Sequence, residues 1–302
     1  MDPIVGFLAA AIRIATPLLW AALGEVIAER AGVINLAVEG AMLAGCLAAV
    51  FGALGVDPWI GVLAAAMAGL LVAGAFAAVA LWGRTDQIIA GTALTLASVG
   101  VTGVLYRQLL ATHGGELQLG MLGPVSVPLL GSLPVIGPAL FRQPALTYLG
   151  LLAVPLVWWV LQRTTIGLRL RAVGEAADAA FAIGIDVRRY QTIAVLVGGV
   201  FAGVGGATLV LAQVGAFAER MTAGRGFIAI AVVVLGRWRP GGVLWAALAF
   251  GALTALQFAF QAMGLDVPYQ LFLVLPYLVA LAALTGVAGR VRSPRGLGRT
   301  VT

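Results

Sequence analysis

Apolar runs of about 20 residues, the length that crosses a hydrocarbon core of ~30 Å, recur from one end of the sequence to the other. Nine are read, at 4–23, 33–54, 59–81, 88–110, 145–161, 191–212, 227–235, 243–263 and 269–287. The seventh is short for a crossing and reads as tilted or broken, so the expected count is eight to ten spans, with nine favoured. Ala, Leu and Gly dominate the runs, and the alternating ten-residue segments of a membrane barrel are absent. Charged residues make up 10% of the chain and hydrophobic ones 62%, against about 25% charged in a soluble domain. No single water-soluble core hides that much apolar surface. The expected fold is an all-α, polytopic helical membrane bundle forming one domain over residues 1–302. The start, 1–10, lacks a basic segment before its apolar run and reads as a retained span rather than a signal peptide.

Charge then sets topology. The net charge is +6 and every basic residue is Arg, grouped in a few loops, which reads as an orientation signal rather than a nucleic-acid surface. Loop 162–190 holds Arg163, Arg169, Arg171, Arg188 and Arg189, and the tail holds Arg290, Arg292, Arg295 and Arg299. The short turns 82–87 and 237–240 add Arg84, Arg237 and Arg239. The positive-inside rule puts all of these in the cytoplasm, and the Gly- and Pro-rich stretch 111–144 outside with 52–58 and 264–268. Nine spans then place the N-terminus outside and the C-terminus inside. The absence of Lys excludes a P-loop, whose Lys must reach the phosphates. Any ATP hydrolysis belongs to another subunit. One Cys, Cys46, and one His, His113, exclude an internal disulfide and a Cys/His zinc site, and no cofactor or metal is expected. His113 sits beside Gly114 and Gly115 and reads as a loop residue rather than a catalytic one.

Three stretches carry chemistry. The first, 24–40, sets Glu25, Glu29, Arg30, Asn35 and Glu39 between or inside two apolar runs. A charge at the bilayer centre costs roughly 2.5–3.5 kcal/mol on insertion scales, so Glu39, with apolar residues around it, needs a partner, a water-filled cavity or protonation. Gly32 and Gly40 allow a helix break there, and broken helices form solute sites in transporters. Glu25, Glu29 and Arg30 equally fit a short solvated turn. In the second, 162–190, residues 175–183 form a short amphipathic helix between Gly174 and Gly184, with Phe181 and Ile183 on its apolar face and Glu175 and Asp178 on its polar one. Such a helix either docks in a partner's groove or rests on lipid. The third runs Thr222, Ala223, Gly224, Arg225, Gly226, Phe227; its Gly-rich backbone fits an anion site or a turn that re-enters the membrane. Beyond these, Thr92, Thr95 and Ser98 recur at three-residue spacing and read as one polar face, and Gly199, Gly203, Gly205 and Gly206 read as a close helix crossing.

Taken together, the residues 24–40, 167–191 and 221–242 resemble the permeases of ABC importers, in the group holding ribose-type sugar and branched-chain amino acid permeases. The first and third motifs look most like nucleoside (guanosine-type) permeases. The resemblance covers almost the whole chain in matching order. It implies a pore built from two related permease subunits as a heterodimer, two ABC ATPase subunits below, and a periplasmic or lipid-anchored solute-binding protein outside, all at the bacterial inner membrane. It also implies that Gly174, Glu175, Ala176, Asp178, Ala179, Phe181 and Gly184 belong to the coupling helix that docks in the ATPase, and that the Asn35–Glu39 region lies near the path. Thr95 stands where nucleoside permeases carry Asn, a departure that bears on substrate choice. The expected pathway residues are Trp20, Asn35, Glu39, Thr92, Thr95 and Phe227, with a nucleoside as cargo and a simple sugar as the competing one. An ion-coupled secondary transporter using Glu39 is the rival mechanism.

Overall fold

The computed structural model describes residues 3–112, 119–126, 136–262, 274, 278, 282 and 293–298. Eleven helices follow in chain order: α1 (Pro3–Arg30), α2 (Val38–Ala53), α3 (Pro58–Phe76), α4 (Gln87–Thr112), α5 (Ile136–Leu140), α6 (Ala145–Arg163), α7 (Thr165–Glu175), α8 (Ala177–Ala182), α9 (Val187–Leu209), α10 (Arg225–Leu235) and α11 (Pro240–Ala262). Wider-wound turns, Ala77–Trp82 and Val210–Val214, extend α3 and α9. Strands β1 (Pro124–Ser126) and β2 (Arg142–Pro144) pair antiparallel between α4 and α6.

Six of these helices are long and apolar enough to cross a membrane: Ile4–Arg30, Pro58–Trp82, Gln87–Thr112, Ala145–Arg163, Val187–Val214 and Pro240–Gln261. They match the first, third, fourth, fifth, sixth and eighth runs. The second run contains the shorter α2 and the seventh is α10. The ninth run lies outside the described residues apart from 274, 278 and 282, as does His113. The first span is longer than its apolar run, because α1 carries on through Glu25, Glu29 and Arg30. Those residues therefore do not form a solvated turn. The chain breaks at 31–37 instead, with Gly32 at φ +88°.

Local chemistry starts the helices where they start. Asp57 accepts from Trp59 N at 2.9 Å ahead of Pro58, and Thr164 and Asp186 cap α7 and α9 in the same way. The glycines of α9 account for its central place against α1, α2 and α3. A Cβ on Gly203 would collide with the Ala65 carbonyl of α3, and one on Gly206 with the Met42 carbonyl of α2. Without side chains at these positions the backbones close to direct contact, as small-residue crossings in membranes do.

The Arg-bearing ends meet at one end of the bundle. Arg30 Nε donates to Trp238 O at 2.9 Å, Gly296 N to Gly174 O at 2.8 Å and Gly298 N to Gly32 O at 3.0 Å. Ile34 N, donating to Gln87 Oε1 at 2.9 Å, joins the start of α4 to the same end.

Candidate functional site

Past the break, the first turn of α2 meets the start of α10 through Glu39. Since α10 has 11 residues, it spans about 16 Å, about half of a ~30 Å hydrocarbon core. It is too short to cross alone, and the first N–H groups at its N-terminus have no helical acceptor. Glu39 supplies one from α2. Its Oε1 accepts from Thr222 Oγ1 at 2.7 Å and from Gly224 N at 2.9 Å, and its Oε2 accepts from Gly226 N at 2.6 Å. The carboxylate, 6% exposed, faces the positive end of the α10 dipole. The Gly-rich third motif is thus an anion nest, and the anion comes from the chain itself.

Glycine is required here for proximity: a Cβ on Gly226 would press into the Glu39 backbone. On the other side of α2, a Cβ on Gly40 would lie 2.8 Å from Ser98 Oγ of α4. Gly40 therefore does not break α2, as the sequence allowed, but lets α4 approach it. The break falls earlier, and its backbone is held by side chains. Glu25 Oε1 accepts from Asn35 N at 2.9 Å, Asn35 Oδ1 from Ala37 N at 3.1 Å, and Leu36 O from Thr95 Oγ1 at 3.1 Å.

The residues expected along the pathway divide accordingly. Trp20 is buried and donates to Leu146 O at 3.1 Å. Asn35, Glu39 and Thr95 are buried, with the hydrogen bonds just described. Thr92 and Phe227 are exposed. Thr92, Thr95 and Ser98 do not share one face, since Thr95 and Ser98 turn inward to α2 while Thr92 turns out. Each three-residue step falls about 60° short of a full turn, so two steps rotate a side chain well off the starting face.

At the Arg-bearing end, the short helix read at 175–183 is α8, which runs from Ala177 to Ala182 and follows a second helix, α7, that the reading lacked. Gly174 and Glu175 close α7, Ala176 (φ −153°, ψ 81°) is the hinge, and Asp178, Ala179 and Phe181 belong to α8. Gly184 turns the chain toward α9 at φ +83°. Ala180 anchors α8 against Val173 and Val187. Phe181 and Ile183 are left 73% and 76% exposed, with Ile166 and Leu168 of α7 also exposed. The sequence reading missed α7; its signals were Thr164 as cap and the buried Leu170 and Val173 at three-residue spacing.

Glu25 and Glu29, each 1% exposed, were not singled out as a pair. They sit one turn apart on α1. Glu29 Oε2 accepts from Trp238 Nε1, while Glu25 Oε2 and Glu29 Oε1 are buried without a hydrogen-bond partner.

A bundle of apolar helices whose α1–α2 break is held by buried side chains, with an exposed amphipathic hairpin at its Arg-bearing end, has the form of a transport subunit. The model of the branched-chain amino acid transport system permease component family matches residues 7–284. The chain belongs to this family. A putative glucose ABC transporter permease protein of Haloferax volcanii is 38% identical, covering 96% of this chain and 94% of the relative. A guanosine ABC transporter permease protein of Bacillus subtilis is 35% identical and a nucleoside ABC transporter permease protein of Lactococcus lactis 34%, each covering 94% of this chain and 92% of the relative. No solved structure matches the chain. The protein is the permease subunit of an ABC importer, a multi-pass protein of the plasma membrane, and works with ATPase and solute-binding partners.

Proposed function

We propose that this permease forms, with a second related permease, the pathway for a nucleoside or a related small polar solute, opened from the cytoplasmic side through α8. The observation that carries the coupling role is the exposed pair Phe181, on the short helix α8, and Ile183, the residue that closes it, at the Arg-bearing end and held at their root by Ala180. An apolar face of that kind fits a groove on an ATPase partner. By the positive-inside rule this end, with the tail 293–298 hydrogen-bonded to it, faces the cytoplasm.

ATP binding closes the ATPase pair and moves α8; α7 and α9 carry the motion into the bundle. The permease contributes geometry and no bond-making chemistry. In this reading Thr92 and Phe227 line the path, while Trp20, Asn35, Glu39 and Thr95 hold its wall in shape through the hydrogen bonds they make inside it. Glu39 serves as an anchor rather than as an ion-coupling carboxylate.

The guanosine and nucleoside permeases among the relatives support a nucleoside cargo, and the glucose permease, at 38% identity, favours a simple sugar as the second reading. Reconstitution of the complete importer in vesicles decides between them. ATP-dependent accumulation of guanosine with glucose ignored is expected. Accumulation of glucose alone removes the nucleoside cargo, and gradient-driven uptake by this chain without an ATPase removes the importer reading.

A further inference from the structure

One exposed face of α4 carries a polar notch that the coupling and anchoring roles leave unused. It lies in the half of α4 away from the Arg-bearing end and is a cavity of about 220 Å³ bordered by Thr102, Gly103, Arg107, Glu219 and Arg220. Around it the same helix exposes Leu96, Val101, Val104 and Leu105. Arg107 is the only charged residue in α4, and its Nη1 lies 3.5 Å from Glu219 Oε1. Charged groups within a span face protein or water rather than lipid. Arg107 lies about 30 Å along α4 from Gln87, at the far edge of a ~30 Å core, so the notch opens to the water or protein that meets the bundle there.

The notch is built, not incidental. Glu219 and Arg220 sit on the turn that Glu39 holds, with Arg220 and Ala223 in the left-handed region at φ 57° and 47°. Such backbone is unfavourable for residues with a Cβ and persists only where the surroundings impose it. The Tyr106 and Phe217 rings, 4.7 Å apart, fasten the same turn to α4. Two glycines then keep the space open. The packing glycines of α9 meet another helix's backbone, but a Cβ on Gly100 would have nothing within 4 Å, and one on Gly103 would reach only the tips of Arg107 and Glu219, at 3.7 and 3.9 Å. Gly is a poor helix former, and at these two positions no close helix contact offsets it.

We infer that Arg107, Glu219 and Arg220 form one half of a solute-binding site that reads a pair of neighbouring hydroxyl groups. A carboxylate accepts two adjacent O–H groups, and the flanking guanidinium groups donate to ring or hydroxyl oxygens. A ribose and a hexose both present such a pair. The cavity is smaller than the ~300–1,000 Å³ of ordinary ligand pockets, so the other half comes from the second permease facing α4. The inference rests on the proposed function and assigns its contact residues.

The test uses the complete importer in vesicles, reading ATP-dependent uptake of guanosine, 2′,3′-dideoxyguanosine and glucose. Removing the two hydroxyls should lower uptake by about tenfold or more, the scale of one hydrogen bond to a charged group. Glu219→Gln should lower guanosine uptake by a similar factor and erase the preference over the dideoxy compound. Gly103→Leu should lower uptake while leaving the complex intact. The exchange Arg107→Glu with Glu219→Arg restores the ion pair in reverse; assembly should survive and uptake should not. Recovery of uptake and preference in the exchanged variant means the pair is only a structural bridge and overturns the site. If the intact importer carries only glucose, Glu219→Gln must lower glucose uptake, and unchanged uptake overturns the site. An intact importer that takes up neither solute overturns the proposed cargo and the ligand class of this site with it.

Discussion

Two sets of carboxylates are buried in this bundle and the protein treats them differently. Glu39 meets three donors, two of them from the first turn of a helix, and uses both oxygens. Glu25 and Glu29 each use one oxygen and leave the other buried without a partner. The first is a complete joint, which fixes where α10 begins and so where the turn 217–224 sits. The second is a half-filled one, linking the helix break through Asn35 to the turn at Trp238. A buried unsatisfied group costs about 1–3 kcal/mol. The comparison therefore separates a carboxylate that stabilises the fold from a pair whose loss is cheap.

Substitutions break the comparison in a definite order. Glu39→Ala strands Thr222 Oγ1, Gly224 N and Gly226 N, and should cost about 3 kcal/mol or more in thermal unfolding of the detergent-purified permease. Uptake should be lost with it. Trp238→Phe removes the side chain that donates to Glu29 and should cost about 2 kcal/mol by the same measurement. Gly226→Ala pushes a methyl into the Glu39 backbone and should cost about 1–3 kcal/mol, as overpacking does. Glu29→Gln should change stability least, within about 1 kcal/mol: the amide oxygen still accepts from Trp238, and the amide nitrogen replaces the unpartnered Glu29 Oε1 with a donor one turn from the unpartnered Glu25 Oε2. A loss as large for Glu29→Gln as for Glu39→Ala would erase the distinction.

How far these joints were legible in the sequence follows from their reach. Six of the nine runs were readable as spans because burial in lipid demands long apolar runs, which leave a local signature. The glycines of 222–227 allowed two readings, an anion site or a re-entrant turn, and did not decide between them. The partner of this stretch was not readable, because Glu39 stands 183 positions from Thr222, and no local pattern encodes such a pairing. The same limit hid Trp238, which meets Glu29 across 209 positions. α7 escaped because Arg169 and Arg171 interrupt its apolar residues, so the segment reads as a charged loop. Thr92 was grouped with Thr95 and Ser98 by spacing alone, and helical drift separates them.

The central claim is that this chain is a gate without an engine, driven through α8. Solute-stimulated ATP hydrolysis by the assembled importer tests it when Phe181 and Ile183 are both changed to Asp. Both side chains are exposed, so the permease should keep its thermal stability. The account predicts loss of stimulated hydrolysis and of ATPase attachment. Full stimulation in that variant, with the ATPase still bound, would contradict it.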